Sequence, residues 1–181
     1  MSLTNSKIQI QFDRMDLRKR ELMDLIRPLP DEIYRRQPNP SKWSIAQIAN
    51  HLFLSEQLSL AYLEKKLSYP DTIPPFHIRS WWALFQTIFI LRTNIKVKAP
   101  PKINMWGEQE IYSPDELDQR WNMLRQEMVS LINENYSRFS RHLVYNHPFA
   151  GRMTMTQMLR FMNHHIAHHL RQIHGLLKKI R

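Results

Sequence analysis

The chain repeats one pattern: apolar residues spaced by three and four over long stretches, broken by proline rather than glycine. From about residue 4 to residue 27, Ile8, Phe12, Met15, Leu22 and Leu25 or Ile26 fall on one side of a helical wheel. From 114 onward, Leu117, Trp121, Leu124, Met128 and Leu131 or Ile132 do the same. Only three glycines occur, and the eleven prolines lie mostly between these stretches. A chain so poor in tight-turn residues and so rich in helical periodicity is expected to be all-α, with long helices joined by proline-marked loops.

The helix boundaries are written locally. Ser44 and Gln47 form an S-x-x-Q capping box, with Trp43 and Ile48 as its hydrophobic staple, and that helix should run to about Leu67, before Pro70. Ser113-Pro114-Asp115-Glu116 offers an N-cap serine, a proline at the first helical position and a glutamate two residues later. Thr154 and Gln157 repeat the capping box, with Met153 and Met158 as staple, and the helix they open should reach nearly to the C-terminus. Between the second and third long helices, a very apolar segment over roughly 78–92 reads as a shorter helix, followed by a loop containing Pro100 and Pro101. No strand is convincing. The expectation is a single domain over residues 1–181, a bundle of four long helices with a shorter helix in the middle of the chain.

Composition narrows the chemistry. With no cysteine, disulfides, thiolate metal sites and a cysteine nucleophile are excluded. The N-terminal stretch is charged and lacks the apolar core of a signal peptide, and the most apolar run, Trp81 to Leu91, falls short of the ~20 residues of a membrane span. These features point to a cytoplasmic protein with no membrane partner. The net charge of +10 could attract nucleic acid. Its clusters, such as Arg18-Lys19-Arg20 and Lys178-Lys179, are short and not interleaved with aromatics, so a solvated basic surface is the simpler reading.

The most unusual stretch is "FMNHHIAHHLRQI" (161–173), with His164, His165, His168 and His169. At about 100° per residue, Met155, Leu159, Met162, Ile166, Leu170, Ile173, Leu177 and Ile180 make one stripe. His169 lies inside its edge and His165 beside it on the same flank. His164 and His168 fall toward solvent, and His147 reads as a loop residue. His165 and His169 are four residues apart, so their imidazoles stack on one face and can converge on one ion. On the second long helix, Ile45, Ile48, Ala49, Leu52 and Leu63 define the core face and His51 lies on its flank. Two flanks meeting at a seam would make a three-histidine site of His51, His165 and His169, with positions left open for water or substrate. Glu56 sits on the core stripe and needs a partner: it could orient a ligand histidine, pair with an arginine, or reach solvent near the bundle's edge. Gln172, on the flank of His165, is a further candidate for orienting a ligand.

These residues resemble a known family. "KWSIAQIANHLFLSEQ" (42–57) resembles the W-S…H-L segment of the DinB-like metalloenzymes, and "HPFAGRMTMTQMLRFMNHHIAHHLRQI" (147–173) their H-P-x-x-G-x-x-T loop and H-x-x-H-H-x-x-Q-I final helix. "KAPPKI" and "SPDELDQRW" are similar to family segments as well. The resemblance implies a four-helix, up-down-down-up bundle holding a divalent metal, zinc or nickel, on three histidines, which map to His51, His165 and His169. Family members with assigned activities include thiol-dependent transferases and an isomerase that use low-molecular-weight thiols, so the resemblance leads us to expect a transferase or hydrolase type of reaction on a small-molecule substrate, a low-molecular-weight thiol being one candidate, and a homodimer, while it does not name the substrate. The alternative is a non-catalytic bundle that binds a ligand or partner.

Overall fold

The computed structural model describes residues 5–78, 82, 85, 88–89, 110–147 and 151–180. Helix α1 is Ser6–Ile26, α2 is the short Asp31–Arg35, α3 is Ile45–Leu67, α4 is Pro114–Phe139 and α5 is Met155–Ile180. Among the described residues the protein is all-α apart from one small hairpin. The boundary signals act as expected. Asn5 accepts from the Lys7 N–H at the start of α1. Ser44 and Gln47 close both arms of their capping box. Ser113 caps α4. Gln157 and Thr154 exchange the same reciprocal pair at 2.9 and 3.3 Å at the head of α5.

The expectation of no strand was wrong in one place. β1 (Tyr145–His147) and β2 (Gly151–Met153) pair antiparallel, His147 opposite Gly151. Strands of three residues are too short to show alternation, so periodicity could not find them. Gly151 has φ 69°, a backbone geometry that a side chain resists, and this marks the turn. The hairpin leads directly into α5 and fixes where that helix begins. The shorter helix expected over 78–92 lies largely outside the described residues; of it, Trp82, Phe85, Ile88 and Phe89 are helical. The loop with Pro100 and Pro101 lies outside them.

The expected stripes form the core. Ile8, Phe12, Met15, Leu22 and Ile26 of α1 are buried against Ile45, Ile48, Ala49, Leu52 and Leu63 of α3, Leu117, Trp121, Leu124, Met128 and Ile132 of α4, and the apolar face of α5. Cross-helix bonds give the registers. Partners on α1 and α5 ascend together, Gln11 with Asn163 and Glu21 with His174. Partners on α1 and α4 run in opposite order: Asp16 with Arg125, Lys19 with Asn122, Arg27 with Asp115. By these registers α5 runs parallel to α1, and α4 runs antiparallel to it.

The polar centre of the bundle is Arg125. It donates from Nε to Glu56 Oε2 at 3.1 Å and from Nη2 to Glu56 Oε1 at 2.9 Å, and reaches Asp16 on α1 through Nη1. Trp121 Nε1 donates to the same Glu56 oxygen at 2.8 Å. Glu56 is 2% exposed and Arg125 5%. Of the three roles open to Glu56 from sequence, pairing with an arginine is the one seen: Trp121 and Arg125 occupy both its oxygens, it is shut off from solvent, and orienting a histidine is not among its bonds. The Arg125 pKa is raised: burial opposes its charge, but the Glu56 and Asp16 carboxylates outweigh burial. Arg125→Met would leave the Glu56 charge buried without its main partner and is expected to destabilise the protein by about 3–5 kcal/mol. Urea denaturation checks this, and a loss under about 1 kcal/mol would contradict the account.

Candidate metal centre

His51 enters the site from the second turn of α3, and His165 and His169 from the middle of α5. The capping boxes at Ser44 and Thr154 set the phase of both helices, so the side chains meet where α3 and α5 pack. His51 Nε2 lies 3.2 Å from His165 Nε2, and His169 Nε2 lies 3.1 Å from the same atom. The ligand atoms of the three residues all lie within 4.8 Å of one another. The wheels therefore selected the trio that the fold brings together.

The donor chemistry fits a cation. Gln172 Oε1 accepts from His169 Nδ1 at 2.9 Å, which fixes the tautomer and leaves a bare lone pair on His169 Nε2. The His165 Nε2 atom faces two other imidazole nitrogens, and one proton there can satisfy only one of them. A divalent ion satisfies all three lone pairs at once. Metal–nitrogen bonds of about 2.0–2.1 Å set neighbouring ligand nitrogens about 2.8–3.4 Å apart in octahedral or tetrahedral geometry. The two separations of 3.1 and 3.2 Å fall within that range. Gln172 thus serves His169 rather than His165, whose flank it shares on the wheel.

The surroundings keep the imidazoles neutral. His51 is 8% exposed and His169 9%, and His165 is half-buried. Burial lowers the His51 pKa to about 4. Burial, and after it the neighbouring imidazoles, hold His165 and His169 well below the usual histidine value. Aromatic rings form the wall. Trp43 tilts against His51 with ring centroids 5.0 Å apart, and Phe161 stacks on His165 at 5.7 Å and 15°. His147, expected as a loop or cap residue, sits in β1 with its ring 4.4 Å from Phe161, and burial lowers its pKa to about 4. His164 and His168 are half-buried rather than solvent-facing, and the His168 ring meets His169 edge-on at 5.1 Å. The buried arc of α5 is wider than its apolar stripe because α1 and α3 both pack on it, covering Phe161 and Asn163 as well.

Sequence reasoning had read Trp43 only as a staple and had left Phe161 unassigned. A signal for Phe161 was present, since it lies four residues before His165 and so on the same face. For the Trp43 contact no local signal existed, because a residue outside the helix is aimed by the loop before it.

The family model of the DinB superfamily matches residues 14–173, a span that holds all three histidines. The chain belongs to the DinB superfamily. No curated protein and no solved structure matches it. The three-histidine cluster of this DinB-superfamily chain is compatible with a divalent metal.

The lowered histidine values have a pH consequence. The unfolded chain takes up protons at histidines near pH 6.5, while folded His51 resists protonation until about pH 4. Between these values the unfolded state binds more protons, so folding stability is full above the window and is lost as pH falls through it. For the metal-free protein, Tm is expected to begin falling near pH 6.5, above the ordinary carboxylate range of about 4. Thermal melts at stepped pH test this; a Tm constant down to about pH 5 would contradict it.

Proposed function

We propose that the protein is a divalent-metal-dependent enzyme of the DinB superfamily, with His51, His165 and His169 as the metal ligands. The observation that carries this is the meeting, where α3 and α5 pack, of three Nε2 atoms whose protonation is suppressed. Three protein ligands are the count of a catalytic site rather than a closed structural one. Zinc or nickel suits an all-imidazole set. A bound ion of this kind acidifies a coordinated water or thiol and polarises an electrophile.

The rest is the work of the chain's own residues. Gln172 holds the His169 ring in one tautomer. Trp43 and Phe161 pin the His51 and His165 rings and keep bulk water from their faces. Glu56 is engaged by Arg125 and Trp121, and we assign His147, whose ring packs on Phe161 beside His165, to face substrate. The absence of cysteine means that a sulfur nucleophile would have to arrive with the substrate, and a low-molecular-weight thiol is the class we favour for a transferase-type reaction.

Elemental analysis of the purified protein is expected to find close to one divalent metal per chain. His165→Ala with His169→Ala should abolish metal binding while the helical circular dichroism is kept, because the apolar core does not run through the ion. No metal even after reconstitution with zinc and nickel would overturn the proposal. Metal loss together with unfolding would instead make the ion structural.

A further inference from the structure

The two helices that meet at the histidine cluster bring almost no negative charge to it. Helix α5 contains no acidic residue, and none follows Glu134 in the sequence. On the α3 side, none stands between Glu32 and Glu56. Glu56 is engaged by Arg125 and Trp121. Glu110, whose carbonyl accepts from Asn50 Nδ2 at 2.9 Å, is exposed, and its charge acts on Arg120. Among the described residues, the groups that act most on His165 and His169 are the neighbouring imidazoles and Gln172, and none of these is a carboxylate.

A histidine that binds a metal usually donates its second ring N–H to a carboxylate, a carbonyl or water. Here the acceptor is the neutral amide of Gln172, 2.9 Å from His169 Nδ1. Gln172 is exposed, so a carboxylate at the same position would fit and stay hydrated. Burial therefore does not force the choice of an amide. Three neutral imidazoles and an amide leave both charges of a divalent ion uncompensated, in a seam where little water screens them. We infer that Gln172 is a positioning residue that fixes the charge of the centre as well as the His169 tautomer, and that the centre takes a small anion, such as a carboxylate or a thiolate, in preference to a neutral ligand of the same shape. This rests on His51, His165 and His169 being metal ligands, and it narrows the substrate to molecules that present a negative group to the ion. The net charge of +10 acts in the same direction at longer range, drawing anions toward the bundle.

The test loads the full-length protein with cobalt(II), whose visible absorption reports the groups around it, and titrates it with acetate and with acetamide, the neutral isostere. Chelator competition measures the cobalt affinity in parallel. Acetate is expected to bind about tenfold or more tighter than acetamide. Gln172→Glu keeps the acceptor and adds a negative charge one ring away from the ion. It should weaken acetate by about fivefold or more and leave acetamide within about twofold. Gln172→Ala, which removes the acceptor, should weaken cobalt binding by about 10–100-fold, and Gln172→Glu should hold cobalt at least as tightly as the unaltered protein. Circular dichroism should be the same for all three, since the side chain at 172 lies at the surface. No cobalt binding by the unaltered protein would remove the metal centre and this role with it. Cobalt binding with acetate and acetamide equivalent, with acetate undiminished in Gln172→Glu, or with cobalt held as tightly by Gln172→Ala, would overturn the role of Gln172 and leave the metal centre standing.

Discussion

Three imidazole lone pairs pointed at one another in a dry seam are an unfavourable arrangement unless something positive sits between them. His51, His165 and His169 are in that position: their nitrogens approach to 3.1 and 3.2 Å, and burial keeps them from relieving the repulsion by taking up protons. A fold that stabilised only itself would place apolar groups there, as it does at Ile48 and Ile166 on the same two helices. The bundle instead carries the cost of desolvating three polar rings and then steers one of them with Gln172. That constraint makes the seam between α3 and α5 the candidate metal centre.

The remainder of the polar interior keeps that seam in register. Arg125 joins α1, α3 and α4 through Asp16 and Glu56, and Trp121 adds a second donor to the same carboxylate. Lys19 ties α1 to α4 through Asn122, and Arg18 ties α1 to α5 by donating to the Asn163 carbonyl at 2.7 Å. Each of these bonds spans two helices. A slip of one helix by a turn would break several of them and move an imidazole by about 5.4 Å, far beyond the tolerance of a metal site. The short hairpin does the same for α5 from its N-terminal end, since Tyr145 bonds Ser59 of α3 at 2.9 Å.

Much of this was legible in the residues. Apolar spacing and capping boxes marked the four long helices because each signal is local to one helix. The histidine trio was legible because the wheel phases of two helices each put an imidazole at the core margin. What lay beyond reach depended on contacts between elements. Glu56 could have served a histidine or an arginine, and only the docking of α4 shows that Arg125 is opposite. Lys19 is buried although it sits in a run of charge, because Asp118 and Asn122 wait on α4. His164 and His168 were placed too far toward solvent because one wheel cannot show that α1 packs on the other flank of α5. The hairpin escaped because three-residue strands carry no period.

X-ray absorption of the protein loaded with zinc or with nickel tests the central claim most directly, because it counts the scatterers around the ion and identifies imidazole rings among them. The account predicts about three imidazole nitrogens at about 2.0–2.1 Å, with the remaining positions held by light oxygen scatterers. An ion surrounded by oxygen alone, or by a single imidazole, would contradict it and leave the histidine cluster without the role assigned to it.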